Sequence, residues 1–128
     1  MAYEVPVLDH SFTMNVSSTA KQFYLVKHTT AANSVTLTST VGDETLGVIQ
    51  EPTSSGGIAP VRLLGITKVA HDGTLVPGSQ VMASSVGLAT IATTGVGVFR
   101  LGMCFEAPST VSGTLATFFL APIGTSTA

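Results

Sequence analysis

An all-β domain, folded as a small barrel or sandwich from a duplicated unit, is the architecture this sequence predicts. Three observations carry the prediction. The apolar runs are short and separated by Gly, Pro, Asn and Asp, the residues that punctuate strands and turns. No stretch keeps a helical apolar period over three turns, and the β-branched and glycine content opposes helices. Finally, one stretch recurs: Leu46 to Gly65 reads LGVIQEPTSSGGIAPVRLLG, and Leu101 to Leu120 reads LGMCFEAPSTVSGTLATFFL. Leu46-Gly47 matches Leu101-Gly102 and Glu51 matches Glu106, a spacing of 55 residues that also relates Val26 to Val81 and Gly42 to Gly97. Each copy reads as strand, turn and strand. Two copies imply pseudo-twofold duplication within one domain, because a solenoid needs three or more units.

Taken in order, residues 1–19 stand apart. Tyr3, Val5, Val7, Leu8, Phe12, Met14 and Val16 are apolar, Pro6 weakens any central strand, and no nearby segment pairs with this one through a short turn. The expectation is an extended N-terminal arm that buries Tyr3, Val5, Val7, Leu8 and Phe12 on a partner, since a disordered tail is poorer in apolar residues. The β domain runs over 20–122. Lys21 to His28 is a strand rich in aromatic and branched residues. Val35 and Leu37 alternate with Thr36 and Thr38 in a half-buried strand. Leu46 to Gln50 pairs with Ile58 to Leu64 across Ser55-Gly56-Gly57, Gly65 marks a bend or bulge, and Ile66 to Ala70 continues. Asp72-Gly73 and Pro77-Gly78 are tight turns. Gln80 to Ala83, Leu88 to Ala92 and Val98 to Phe105 are further strands. Thr114 to Leu120 is apolar on both faces at Phe118 and Phe119, as in a central strand or one facing a subunit interface. Pro122 is expected to end it, leaving 123–128 as a loose tail.

The chain of 128 residues suits one domain, and its 45% hydrophobic content supplies a core. Only 9% of residues are charged, against about 25% in ordinary soluble domains. Ser and Thr take their place, giving a polar, weakly charged surface suited to packing against other chains. Lys21, Lys27, Arg62, Lys68 and Arg100 are scattered and make no nucleic-acid patch, and the net charge is only −2. No run reaches membrane-span length. The start of the chain, with Glu4 and Asp9, lacks a basic-then-apolar secretory signal, so synthesis in a cytoplasm is expected. Cys104, the single cysteine, lies between Met103 and Phe105 and reads as a buried structural thiol.

Residues with chemical potential are few. His71-Asp72 with nearby serines suggests a triad, but Asp72 is explained by its turn and no serine sits in a nucleophile elbow. His10, His28 and His71 lack metal-ligand spacing. Asp43-Glu44 begins no calcium-loop register, and Glu51 and Glu106, related by the repeat, read as strand-end carboxylates. Gly95 to Gly102, GVGVFRLG, is superficially like a phosphate loop but lacks the lysine and the helix. No enzyme, cofactor or metal is expected.

AKQFYLVK (Ala20 to Lys27), TLGVIQEPTSSGG (Thr45 to Gly57), LLGITKVAHDGTLVPGSQVMAS (Leu63 to Ser84) and RLGMCFEAPSTVSG (Arg100 to Gly113) follow one another in this order. Together they resemble the capsid decoration, or cement, proteins of tailed phages over about residues 20–122. Pro60 departs from that pattern, standing where an unbroken strand is expected. The resemblance implies a β-tulip-like barrel and a non-enzymatic virion protein on the outer surface of an icosahedral head. There it would clamp neighbouring subunits of an HK97-like major capsid protein, as a homo-oligomer, commonly a trimer. The alternative is a receptor- or glycan-binding β module of a tail or fibre. The absence of Trp and the presence of only two Tyr weigh against sugar stacking.

Overall fold

The computed structural model describes residues 4–93 and 98–125, with the backbone alone for 122–125. Among the described residues nine strands make one mixed sheet: β1 Val5–Met14, β2 Leu25–His28, β3 Ser34–Leu37, β4 Gly47–Ile49, β5 Ile58–Ala70, β6 Gln80–Ala83, β7 Ala89–Ile91, β8 Phe99–Glu106 and β9 Leu115–Thr125. The predicted all-β class is the observed one. Strands β1, β3, β2, β4 and β5 follow in pairing order, and β5 pairs back onto β1, closing a first ring. From β5 the sheet continues through β9, β8, β6 and β7, and an isolated parallel bridge from His71 to Ala89 returns it to the end of β5. β5 therefore belongs to both rings. At Gly65 and Ile66 it pairs simultaneously with β1 and β9, one on each edge.

The duplication read from the sequence is reproduced in the pairing. A shift of 55 residues superposes β2 on β6 and carries β1, β3, β4 and β5 onto β5, β7, β8 and β9, with small offsets. The pair Leu25↔Val48 becomes Gln80↔Met103, and Val26↔Gly47 becomes Val81↔Gly102. Each ring holds its own core. Phe12, Met14, Val26, Val35, Ile49, Ala59 and Val61 fill the first. Val69, Val81, Leu101, Cys104, Phe118 and Leu120 are among those filling the second.

The repeated Leu-Gly pair has a steric cause. A side chain at Gly47 would lie 2.1 Å from the carbonyl oxygen of Arg62, and one at Gly102 would lie 1.8 Å from that of Phe119. Glycine lets β4 meet β5, and β8 meet β9, at the same place in each ring. Gly65 is at a bulge, as expected: it has φ 125° beside a register shift in β1. Pro60 is accommodated inside β5. Its carbonyl accepts from Gln50 N, and the carbonyl of Gln50, deprived of a proline donor, accepts instead from Gln22 Nε2 at 2.9 Å.

Three expectations are corrected. Residues 5–14 are not an arm lacking a partner in its own chain. They form β1, antiparallel to β5 over Val5 to Thr13 and parallel to β3 at Thr13 and Met14. The partner lies some fifty residues downstream, and such long-range pairing leaves no local turn signal. Strand β2 is shorter than Lys21 to His28, because Ala20 (φ 63°) and Phe23 (φ 65°) turn the backbone left-handed. Phe23 is held there by its N–H donating to Ile49 O and its carbonyl accepting from Ala70 N. Pro122 does not end β9. The strand runs on to Thr125 opposite Phe99, with Pro122 at the register shift between Gly102↔Leu120 and Arg100↔Gly124, where a missing N–H is tolerated.

Replacing Gly47 or Gly102 by Ala forces a strand pair apart, and each change should lower stability by about 1–3 kcal/mol in urea unfolding. Full retention of the unfolding midpoint by either variant contradicts the close-approach argument.

Candidate functional site

Among the described residues, an ionic cluster that positions a surface lies at the start of β1. Arg62 of β5 is opposite Asp9 of β1 in register. Its Nε donates to Asp9 Oδ1 at 2.9 Å and its Nη2 to Asp9 Oδ2 at 3.0 Å, a two-pronged contact. Nη1 donates to Glu4 Oε2 at 2.5 Å, and Lys68 Nζ stands 3.9 Å from Glu4 Oε1. The hydrogen bonds that Arg62 donates to Asp9, with the nearby charges of Asp9 and Glu4, outweigh burial and hold the guanidinium pKa above its ordinary value. A buried guanidinium without these partners is costly, so the cluster fixes β1 against β5.

On this fixed strand Val5, Val7 and Leu8 are 51%, 66% and 51% exposed. Phe12 is different: at 8% exposure it belongs to the first core, so the expectation that it contacts a partner is corrected. β1 enters the ring at Phe12, and from there inward-facing residues close the core. Tyr3 lies outside the described residues. The structure thus groups Val5, Val7 and Leu8 as an outward apolar run and assigns Phe12 to packing.

A second apolar surface was signalled by the paired phenylalanines of β9. Phe118 is fully buried, whereas Phe119 is 41% exposed and stacks on Phe105, ring centroids 6.4 Å apart. Met103, opposite Phe119 in register, is 45% exposed. What the sequence did not reveal is that Ile66, Phe119 and Met103 form one row across three strands, because that depends on inter-strand register.

The remaining candidates resolve into structural roles. His71 is fully buried. Thr114 Oγ1 donates to Val111 O at 2.6 Å and so accepts from His71 Nε2, 3.1 Å away, while His71 Nδ1 accepts from Gly73 N at 3.2 Å. The ring is thus neutral, and burial pulls its pKa down despite the opposing charge of Asp72. Asp72 turns to Thr74, accepting from its N and Oγ1. Burial opposes ionisation of Asp72, but hydrogen bonds from Thr74 and Thr90 outweigh it and leave its pKa lowered. Asp43 Oδ2 accepts from Lys27 Nζ, Ser39 N and Thr40 N, beside an open depression of about 500 Å³ bordered by His28, Glu44 and Phe99. His10 and His28 both pack edge-on to Phe12. Glu51 is exposed after β4 and Glu106 ends β8, equivalent places in the two rings. Cys104 is buried in the second core, which pushes its thiol pKa up. The glycine-rich stretch falls partly on 94–97, outside the described residues.

No protein-family model matches the sequence, and neither does any curated protein. Among solved structures, the fold is similar to the N base of head fibre gp8.5 of bacteriophage phi29. The TM-score is 0.66 at 13% identity, over 89% of this chain and 93% of that one. At this identity the likeness is one of fold.

The buried neutral histidine has a pH signature. The unfolded chain takes up a proton on His71 near the ordinary value of 6.5, while the folded chain resists it to lower pH. This contribution to stability is therefore complete above about pH 6.5 and declines as pH falls toward the lowered folded value. Unfolding midpoints measured from pH 7.5 to 5 should fall in the wild type and fall less in His71→Gln. Identical slopes for the two proteins contradict the assignment.

Proposed function

We propose that this protein is a capsid decoration protein: a non-enzymatic component of a phage particle that attaches to the outer surface of the head. The observation that carries the reading is the shared fold with a phage head-fibre base over nearly the whole of both chains. It agrees with the ordered motifs from Ala20 to Gly113 that resemble the cement proteins of tailed phages. On this reading the protein is made in the host cytoplasm, assembles as a homo-oligomer, commonly a trimer, and clamps neighbouring subunits of an HK97-like major capsid protein.

The chemistry of attachment is apolar. Val5, Val7 and Leu8 are presented by a strand already fixed through Arg62, so docking buries apolar surface without the cost of ordering a loose arm. Several copies of such a modest contact on one oligomer give strong retention through effective concentration. Clamping then resists separation of the capsid subunits that the contacts span.

Deletion of the N-terminal segment is the wrong test, because Phe12 and Met14 fill the first core. The double variant Val7→Ser/Leu8→Ser leaves that core intact. Its co-sedimentation with undecorated shells should weaken by about tenfold or more, since each exposed side chain is worth roughly 1 kcal/mol when covered. Wild-type attachment should change little between low and high salt. Unchanged binding by the double variant, or a steep salt dependence, refutes this mode of attachment.

A further inference from the structure

The internal repeat shows what covers one of its own faces. In the first ring, Asp9, Arg62, Val48 and Leu25 form a row across β1, β5, β4 and β2, each opposite the next in register. Directly paired residues place their side chains on the same side of a sheet. Their sequence neighbours Val26 and Ile49 point into the first core, so Leu25 and Val48 point out of that ring. They are nevertheless 0% exposed, because they pack into the core of the second ring. The outer face of ring one is thus capped by another ring of the same fold.

The equivalent row in ring two is Ile66, Phe119, Met103 and Gln80, across β5, β9, β8 and β6. The pair Gln80–Met103 is the counterpart of Leu25–Val48 at the repeat spacing. Among the described residues no third ring lies on this face. Phe119, Met103 and Gln80 are exposed, and Phe105 extends the apolar surface by stacking on Phe119. Val5, opposite Ile66, continues the row on β1. A shallow, almost wholly apolar cleft of about 290 Å³ runs between Gln80, Met103 and Phe119, floored by Gly102 and flanked by Ala121.

We propose that a second copy of this chain covers the Ile66–Phe119–Met103–Gln80 row, packing head to tail as ring two packs on ring one within the chain. The occupant follows from the repeat, since the face that matches this one is covered by a ring of this fold. The contact joins two different surfaces and is therefore heterologous, so successive copies close into a ring or continue as a filament. The ionic character of the two rows separates their roles. The first carries the ion pair of Arg62 with Asp9 beside Val48 and Leu25, whereas the second is apolar from Val5 through Met103. The contact gives the homo-oligomer of the proposed function its surface and rests on that part of the reading, while attachment to a head does not depend on it.

The test is the oligomeric state of the purified full chain at micromolar concentration, by light scattering. The wild type should be a closed oligomer or a filament. Met103→Lys and Phe119→Lys should each shift it at least tenfold toward monomer with an unchanged circular-dichroism spectrum. Should a lysine variant misfold, peroxide oxidation of the wild type gives the same answer without mutation. Met103 should be oxidised readily in dilute monomer and several-fold more slowly in the concentrated assembly. A wild type monomeric throughout, a folded lysine variant that assembles normally, or Met103 equally reactive at both concentrations overturns the proposal.

Discussion

β5 is a strand with partners on both edges, and every other part of the molecule is placed by how those edges are filled. Its first half closes ring one against β1 and β4, and its second half opens ring two against β9. A long strand in this position has no unpaired edge to offer to other chains over most of its length. The glycine at the same place in each ring lets the neighbouring strand lie close, at Arg62 in one ring and Phe119 in the other. Gln22 supplies the donor that Pro60 lacks. The two cores are distinct, yet Leu25 and Val48 belong to the second while sitting on strands of the first, and this couples the rings into one unit.

The scarcity of charge takes on meaning once the few charges are placed. Arg62 and Asp9 hold β1, with Glu4 and Lys68 beside them, and Lys27 with Asp43 pins the turn before β4. Charge here fixes backbone elements and leaves long stretches of surface to Ser, Thr and outward apolar side chains. A strand fixed in this way differs physically from a tail that orders on contact. The tail loses conformational entropy at the moment of binding, whereas β1 has lost it already in folding.

Local features were legible in the sequence. The Leu-Gly repeat gave the duplication, the Ser-Gly-Gly turn gave the pairing of β4 with β5, and Gly65 gave the bulge. Features that depend on distant parts of the chain were not. β1 looked unpartnered because β5 is remote in sequence, and for the same reason Phe12 looked available when it is packed in the first core. Pro122 marked a strand end by local rules, but register with β8 placed it at a bulge. The doubled phenylalanine at 118 and 119 showed that β9 has two apolar faces. Which neighbours share the outer face is a matter of register, and no short window of sequence encodes it.

A density map of the intact phage particle tests the central claim most directly. The account predicts this fold on the outside of the head, with β1 toward the shell and the Phe119–Met103 row against a neighbouring copy. Finding the chain in the tail, or missing from the mature particle, contradicts it.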